Sequence, residues 1–172
     1  MENGKDDPMA DDKITAKTLE KVAAGDETLG NAMGLDEGAI YEIASVGFTC
    51  YENNKLDEAE TIFRGLLALN PQDSNAWTML GSIAQLQGNS DDAISNYTHA
   101  IELNDGDIAA HTNRGELLLM RGDLEEAGGD FARAIELDPD GMDRSANRAR
   151  ALVVVTSEIL TEVKKAHDAG EL

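Results

Sequence analysis

Cysteine is almost absent. Cys50 is the single one in 172 residues, which rules out an internal disulfide framework and leaves Cys50 reading as a small apolar residue on a helix. Proline occurs three times and aromatic residues make up 4%, a level suited to helices packed through aliphatic side chains and alanine. Basic residues are scarce: 14 Lys and Arg stand against 34 Asp and Glu, for a formal net charge of −20. A phosphate backbone would be repelled by such a chain, so nucleic acid is excluded as a partner. An anionic membrane surface is disfavoured for the same reason. No apolar run approaches the roughly 18 residues of a membrane-spanning helix, so no membrane insertion is expected. The opening Met1-Glu2-Asn3-Gly4-Lys5-Asp6-Asp7-Pro8 has no hydrophobic stretch, which predicts no secretory signal and a cytoplasmic location. His99, His111 and His167 are scattered, and no Cys, His and carboxylate group has the spacing of a metal site. Asn104-Asp105-Gly106-Asp107 lacks the bidentate glutamate of a calcium loop. Phosphate loops and nucleophile elbows are missing too. No catalytic residue, metal or cofactor is expected, and the chain reads as no enzyme.

What the sequence does have is a period of 34. Ala59, Ala93 and Ala127 keep that spacing, and each is followed four residues later by an aromatic: Phe63, Tyr97 and Phe131. Gly47, Gly81 and Gly115 keep it, as do Leu69, Leu103 and Leu137. Glycine inside a helix costs about 1 kcal/mol relative to alanine, so three in register need a reason. Close approach of two helices supplies one, with the alanines permitting the approach and the aromatics filling the space behind it. Asn54, Gly88 and Gly122 fall between paired helices, where a left-handed residue is wanted. Pro71 and Pro139 stand just before the next pair, with Asp105 in the corresponding place between them.

This pattern resembles the tetratricopeptide repeat (TPR), a helix pair of about 34 residues. It predicts an all-α fold: three tandem TPR helix pairs forming a short superhelical solenoid, with an N-terminal helical arm and a C-terminal capping helix. With Ile40 as position 1, the repeats run 40–73, 74–107 and 108–141. Residues 1–12 are acidic and aperiodic and read as a disordered tail. Residues 13–39 form the arm, a helical segment interrupted by Gly25 and Gly30, with Asp36 capping the helix that follows. Residues 142–172 form the capping helix, whose apolar stripe comprises Ala149, Leu152, Val153, Thr156, Leu160 and Val163. Arg144, Arg148, Arg150, Lys164 and Lys165 give it a solvated face. Trp77, Phe63, Tyr97 and Phe131 read as core. His111 and Arg114 occupy positions that are usually apolar, so that helix either packs loosely or lets the Arg114 stem fill the space with its head in solvent.

In a TPR array, positions 2, 5, 9 and 12 of the first helix of each pair line a concave groove. The resemblance therefore implies a peptide-binding surface made of Tyr41, Ala44, Phe48 and Tyr51, then Asn75, Thr78, Ser82 and Gln85, then Ala109, Thr112, Glu116 and Leu119. Its first part is aromatic and its middle small and polar. Bare aromatics on a surface imply a partner: either residues 13–35 fold over them or they grip a ligand. The groove that clamps the C-terminal carboxylate of heat-shock chaperones is excluded. That groove needs lysine and asparagine where this chain has Ala44 and Phe48, and lysine and arginine where it has Ala109 and Asn113.

A narrower resemblance follows from Thr28-Leu29, Gly34-Leu35, Ile40-Tyr41 and the run Ala59-Glu60-Thr61-Ile62-Phe63-Arg64-Gly65-Leu66-Leu67. These segments, with Gly115-Glu116-Leu117-Leu118, resemble class II chaperones of bacterial type III secretion over roughly residues 17–165. The resemblance implies a cytoplasmic chaperone that keeps a hydrophobic translocator soluble by holding an extended segment of it in the concave groove. It also implies a homodimer formed through residues 13–35. The competing reading is a general TPR adaptor with no role in secretion.

Overall fold

Four aspartates start the helices that matter most. Asp36, Asp73, Asp107 and Asp143 each stand at an N-cap and accept a hydrogen bond from the backbone N–H three residues on, of Ala39, Ala76, Ala110 and Ala146. Each bond satisfies a donor that the first helical turn would leave bare, worth about 1 kcal/mol. The helices between them carry acids in the first turn instead, Asp57 and Glu58, Asp91 and Asp92, Glu125 and Glu126, where the positive end of the helix dipole favours negative charge.

The computed structural model describes residues 15–169. The expectation of a disordered tail over residues 1–12 falls outside them. Among the described residues every regular element is helical, and no helix is long and apolar enough to cross a membrane. They divide into two compact units, one ending at Gln72 and the other beginning at Asp73.

In the first unit, α1 (Ala16–Ala24) ends at Gly25 in the left-handed conformation, and α2 (Leu29–Ala32) is a single turn. Gly30 does not break the arm, as its type suggested. It lies inside α2, buried, and a Cβ there would sit 3.5 Å from the Leu69 Cβ. The pair α3 (Glu37–Glu52) and α4 (Leu56–Leu69) is joined by a tight turn through Asn54, whose φ is +57°. Ala59, Phe63 and Leu66 are buried between them.

The second unit holds α5 (Ser74–Leu86), α6 (Ser90–Leu103), α7 (Ile108–Arg121), α8 (Leu124–Glu136) and α9 (Arg144–Asp168). Two clusters make up much of its core among the described residues. Tyr97, Ala93, Ala100, Ala110 and Leu117 form one, with Trp77 packed against it and edge-on to His99 at 4.8 Å. Phe131, Ala127, Ala134, Leu118 and Ala149 form the other, with Leu152 and Val153 of α9 against it. The in-register glycines have the close contacts their cost demanded. A Cβ on Gly81 would fall 2.6 Å from the Tyr97 ring, and one on Gly115 2.7 Å from the Phe131 ring.

His111 and Arg114 behave otherwise than expected. The helix does not pack loosely, and the guanidinium does not reach outward. His111 is buried, with Nδ1 2.9 Å from Asp130 Oδ1. Arg114 turns inward and grips Asp130 with two N–H groups at 2.7 and 2.8 Å, while a third donates to Thr98. The two polar side chains fit because Asp130 of α8 supplies the acceptors. Burial raises the Asp130 carboxyl, but hydrogen bonds from Arg114 and His111 outweigh it and hold the pKa below its ordinary value.

Candidate functional site

Two surfaces carry the residues expected to line a groove, one in each unit. The first lies on α3. Tyr41, Ala44, Phe48 and Tyr51 recur at helical spacing and so share a face. Tyr41 is 76% exposed and Phe48 48% exposed, while Ala44 and Tyr51 are half-buried. The Phe48 and Tyr51 rings lie 6.3 Å apart between centroids, tilted by 31°. Tyr41 stays open although the arm helices are present: α2 packs on α4, not over this face. Ile43 and Val46, on a neighbouring face of α3, are exposed as well.

The second surface lies in the other unit and is polar. Asn75 is exposed; Thr78, Ser82, Gln85, Glu116 and Leu119 are half-buried. Thr112 differs. It is fully buried, so it presents nothing at the surface as the unit stands. Thr78 donates to Asp107 Oδ2 at 2.6 Å, so the aspartate that caps α7 also ties α5 to it. The matching bond from Thr112 to Asp143 is not made. Asp143 follows Asp107 by two residues more than Asp107 follows Asp73, because Gly141 and Met142 lengthen the turn. Among the described residues, Thr112 Oγ1 is the buried side-chain oxygen left without a hydrogen-bond partner.

That longer turn also resets the register of α9. Counted from the N-cap, Arg148 takes the place of Thr78 and Thr112, Leu152 that of Ser82 and Glu116, and Val155 that of Gln85 and Leu119. Arg148 consequently reaches α7. Its Nε stands 2.5 Å from Glu116 Oε1, and its Nη2 donates to Asn113 Oδ1. Asn113 Nδ2 donates to the Tyr97 hydroxyl at 3.2 Å, and that hydroxyl lies 2.9 Å from Gln85 Oε1 and 3.1 Å from Ser82 Oγ. A continuous polar chain thus runs from α9 across α7 to α5. Burial raises the Glu116 pKa, and the nearby Arg148 charge only partly counters it.

Sequence spacing missed Tyr97, Asn113 and Arg148 as members of this surface. Tyr97 was hidden because its ring is core, with only the hydroxyl reaching the chain. Arg148 was hidden by the two-residue shift, although Asp143 as an N-cap could have revealed it. The basic face of α9 is not simply solvated either, since Arg150 bonds the Asp138 carboxylate at 3.0 Å. The carboxylate of Asp105, in the segment compared with a calcium loop, is engaged by Arg133. Among the described residues no cluster of His, Cys, Asp and Glu is placed to hold a metal ion.

The arrangement is a set of side-chain surfaces suited to binding. The tetratricopeptide repeat family model matches residues 51–107 and 79–141. Low calcium response locus protein H of Yersinia pestis is 26% identical over 81 residues, which is 47% of this chain and 48% of that protein. The match thus spans about half the length of that curated relative. Among solved structures, a type III secretion system complex from Aeromonas hydrophila covers 84% of this chain and 98% of its own, at 24% identity and a TM-score of 0.76. PcrH, a Pseudomonas aeruginosa protein, solved with the chaperone binding region of PopD, covers 73% of this chain and 96% of its own, at 26% identity and a TM-score of 0.66.

Proposed function

The chain belongs to the tetratricopeptide repeat family, and we propose that it serves as a cytoplasmic chaperone for a hydrophobic type III secretion translocator. It binds an extended segment of that client along the helix faces described above and keeps it soluble before export. It performs no chemistry of its own. The observation that carries this reading is the aromatic face of α3, where Tyr41 and Phe48 stand exposed on a strongly acidic chain. Apolar side chains of a client would cover them. The likeness to PcrH, solved with the chaperone binding region of PopD, supports the same assignment. In the second unit the half-buried Thr78, Ser82, Gln85 and Glu116, with the exposed Asn75, offer polar partners for a client backbone, and the half-buried Leu119 adds an apolar contact. The exposed Leu19 and Met33 of the arm supply the apolar contact for a homodimer.

Each buried anchor contributes about 1.5–3 kcal/mol, and ordering an extended segment offsets much of the total. A few anchors give an affinity on the order of micromolar for the isolated segment. The test is co-purification from the native host, followed by titration of the captured segment against Phe48→Ala. A membrane-active protein with long apolar helices, held at a fixed ratio, is the expected capture. Phe48→Ala should weaken the segment about tenfold or more while leaving helicity intact. Capture of a set of soluble proteins instead would sink the secretion role and favour a general adaptor. Normal binding by Phe48→Ala would remove the α3 face from the site.

A further inference from the structure

Besides the aromatic face, two apolar helix faces of the first unit stand largely bare among the described residues, one on α3 and one on α1. Ile43, Val46 and Cys50 share a side of α3 away from Tyr41 and Phe48. Val46 is 57% exposed and Ile43 37%, while Cys50 is half-buried. Two repeats later the same positions of α7 hold His111, Arg114 and Leu118, and there the preceding helix α6 packs on α7. Arg114 reaches Thr98 of α6, and Ile94 of α6 lies against the cluster that holds Leu118. The side of α3 is therefore shaped to receive a helix running antiparallel to it, as short connections impose on neighbouring helices.

The other bare face has the matching character. Leu19, Val22, Ala23 and Ala16 line one side of α1, with Lys17 and Lys21 opposite. Even so, α1 has no buried residue, and Leu19 is 50% exposed. It rests on α2, whose Gly30 lies against Ile40 near the start of α3. The last residue of α1 is thus held near the N-terminal end of α3, and α1 turned back along α3 runs antiparallel to it. Its 9 residues span about 13–14 Å, enough for the roughly 10–11 Å from Ile43 to Cys50. The connection 25–28 can reach about 13–14 Å, more than the roughly 8–10 Å between packed helix axes. Gly25, at φ +81° with nothing within 4 Å of where a Cβ would stand, is an unobstructed pivot.

We propose that α1 swings about Gly25 to lie along Ile43, Val46 and Cys50, takes there the place that α6 holds on α7, and caps the first unit from its own chain. Val22 then meets Ile43, Leu19 meets Val46 and Ala16 meets Cys50, while Lys17 and Lys21 keep to solvent. Closure withdraws Leu19 from the homodimer contact named above, so the capped chain and the arm-linked dimer exclude one another.

The test is made on the whole chain with Ala16→Cys. Facing Cα atoms of packed helices lie about 4–6 Å apart, within disulfide reach of Cys50. Oxidation at micromolar protein concentration should close a bond within one chain about tenfold faster than in Lys17→Cys, whose thiol points away. Alkylation of Cys50 without any added thiol is the second measurement. Leu19→Asp loses no buried contact of the open form, and it should raise the alkylation rate about fivefold by uncovering Cys50. Closure no faster than in Lys17→Cys, or an alkylation rate unmoved by Leu19→Asp, would overturn the cap. A bond formed between two chains would overturn it as well and support the arm-linked dimer instead, so the two readings fail separately.

Discussion

Alanine placed at Gly81 is a severe test of how the helix pairs close. The new Cβ would lie 2.6 Å from both Cδ1 and Cε1 of Tyr97 and 3.0 Å from its Cγ. The ring cannot retreat. It is fully buried, and its hydroxyl is engaged by Ser82, Gln85 and Asn113. Relief requires α5 and α6 to separate by several tenths of an ångström, and overpacking of this kind costs about 1–3 kcal/mol. Helix propensity works the other way, since alanine is favoured over glycine by about 1 kcal/mol in a helix interior. Contacts as close as 2.6 Å with a pinned ring put the overpacking in the upper part of that range, about 2–3 kcal/mol, and the net expectation is a loss of about 1–2 kcal/mol. Gly129 supplies the internal control. It lies in α8 of the same unit, and a Cβ there meets nothing within 4 Å. Gly129→Ala should gain about 0.5–1 kcal/mol from propensity alone. Urea unfolding followed by circular dichroism reads both variants, with the midpoint moving down for the first and up for the second. A Gly81→Ala chain as stable as wild type would refute the close-approach account of the in-register glycines.

Three further outcomes follow from the polar contacts. Asp130→Asn strips Arg114 of its bidentate partner and should cost about 3 kcal/mol or more at neutral pH. The Asp130 pKa is held below its ordinary value in the folded state, so its stabilising contribution is fully present above the unfolded carboxyl value near about 3.9 and is lost as pH falls through the folded value. Stability measured from pH 7 down toward pH 3 should therefore fall more steeply for wild type than for Asp130→Asn, and parallel curves would contradict the assignment. Asp107→Ala removes both the cap of α7 and the acceptor of Thr78, at about 2 kcal/mol. Asp73→Ala, which loses a cap bond to Ala76, should cost about 1 kcal/mol in the same urea assay.

The helix pairing was legible because the residues that enforce it are of unusual type and strictly spaced. A glycine that a helix would otherwise reject, an alanine with no exposed surface and an aromatic four residues later admit few geometries. Asn54, Gly88 and Gly122 were readable for a similar reason, since each takes a positive φ. Gly30 misled because the same residue type serves both to break a helix and to admit a neighbour, and only the position of Leu69 decides between them. His111 and Arg114 were misread because their partner, Asp130, lies on another helix, and no local pattern announces a buried carboxylate. The polar chain from Arg148 to Ser82 was illegible at its far end, where two extra residues in one turn moved a side chain to a different face. The α3 aromatics were visible in the sequence; that the described arm leaves Tyr41 bare was not.

Tyr97 is core filler and surface hydrogen-bond partner at once, whereas its counterparts Phe63 and Phe131 have no hydroxyl. For anyone redesigning the polar surface this matters more than any single groove residue. Changing Ser82, Gln85 or Asn113 to recruit a new ligand also loosens a ring at the centre of the second unit, so specificity and foldedness would drift together in a library. Installing phenylalanine at 97 first would cut that link and leave three polar positions free to vary without disturbing the core.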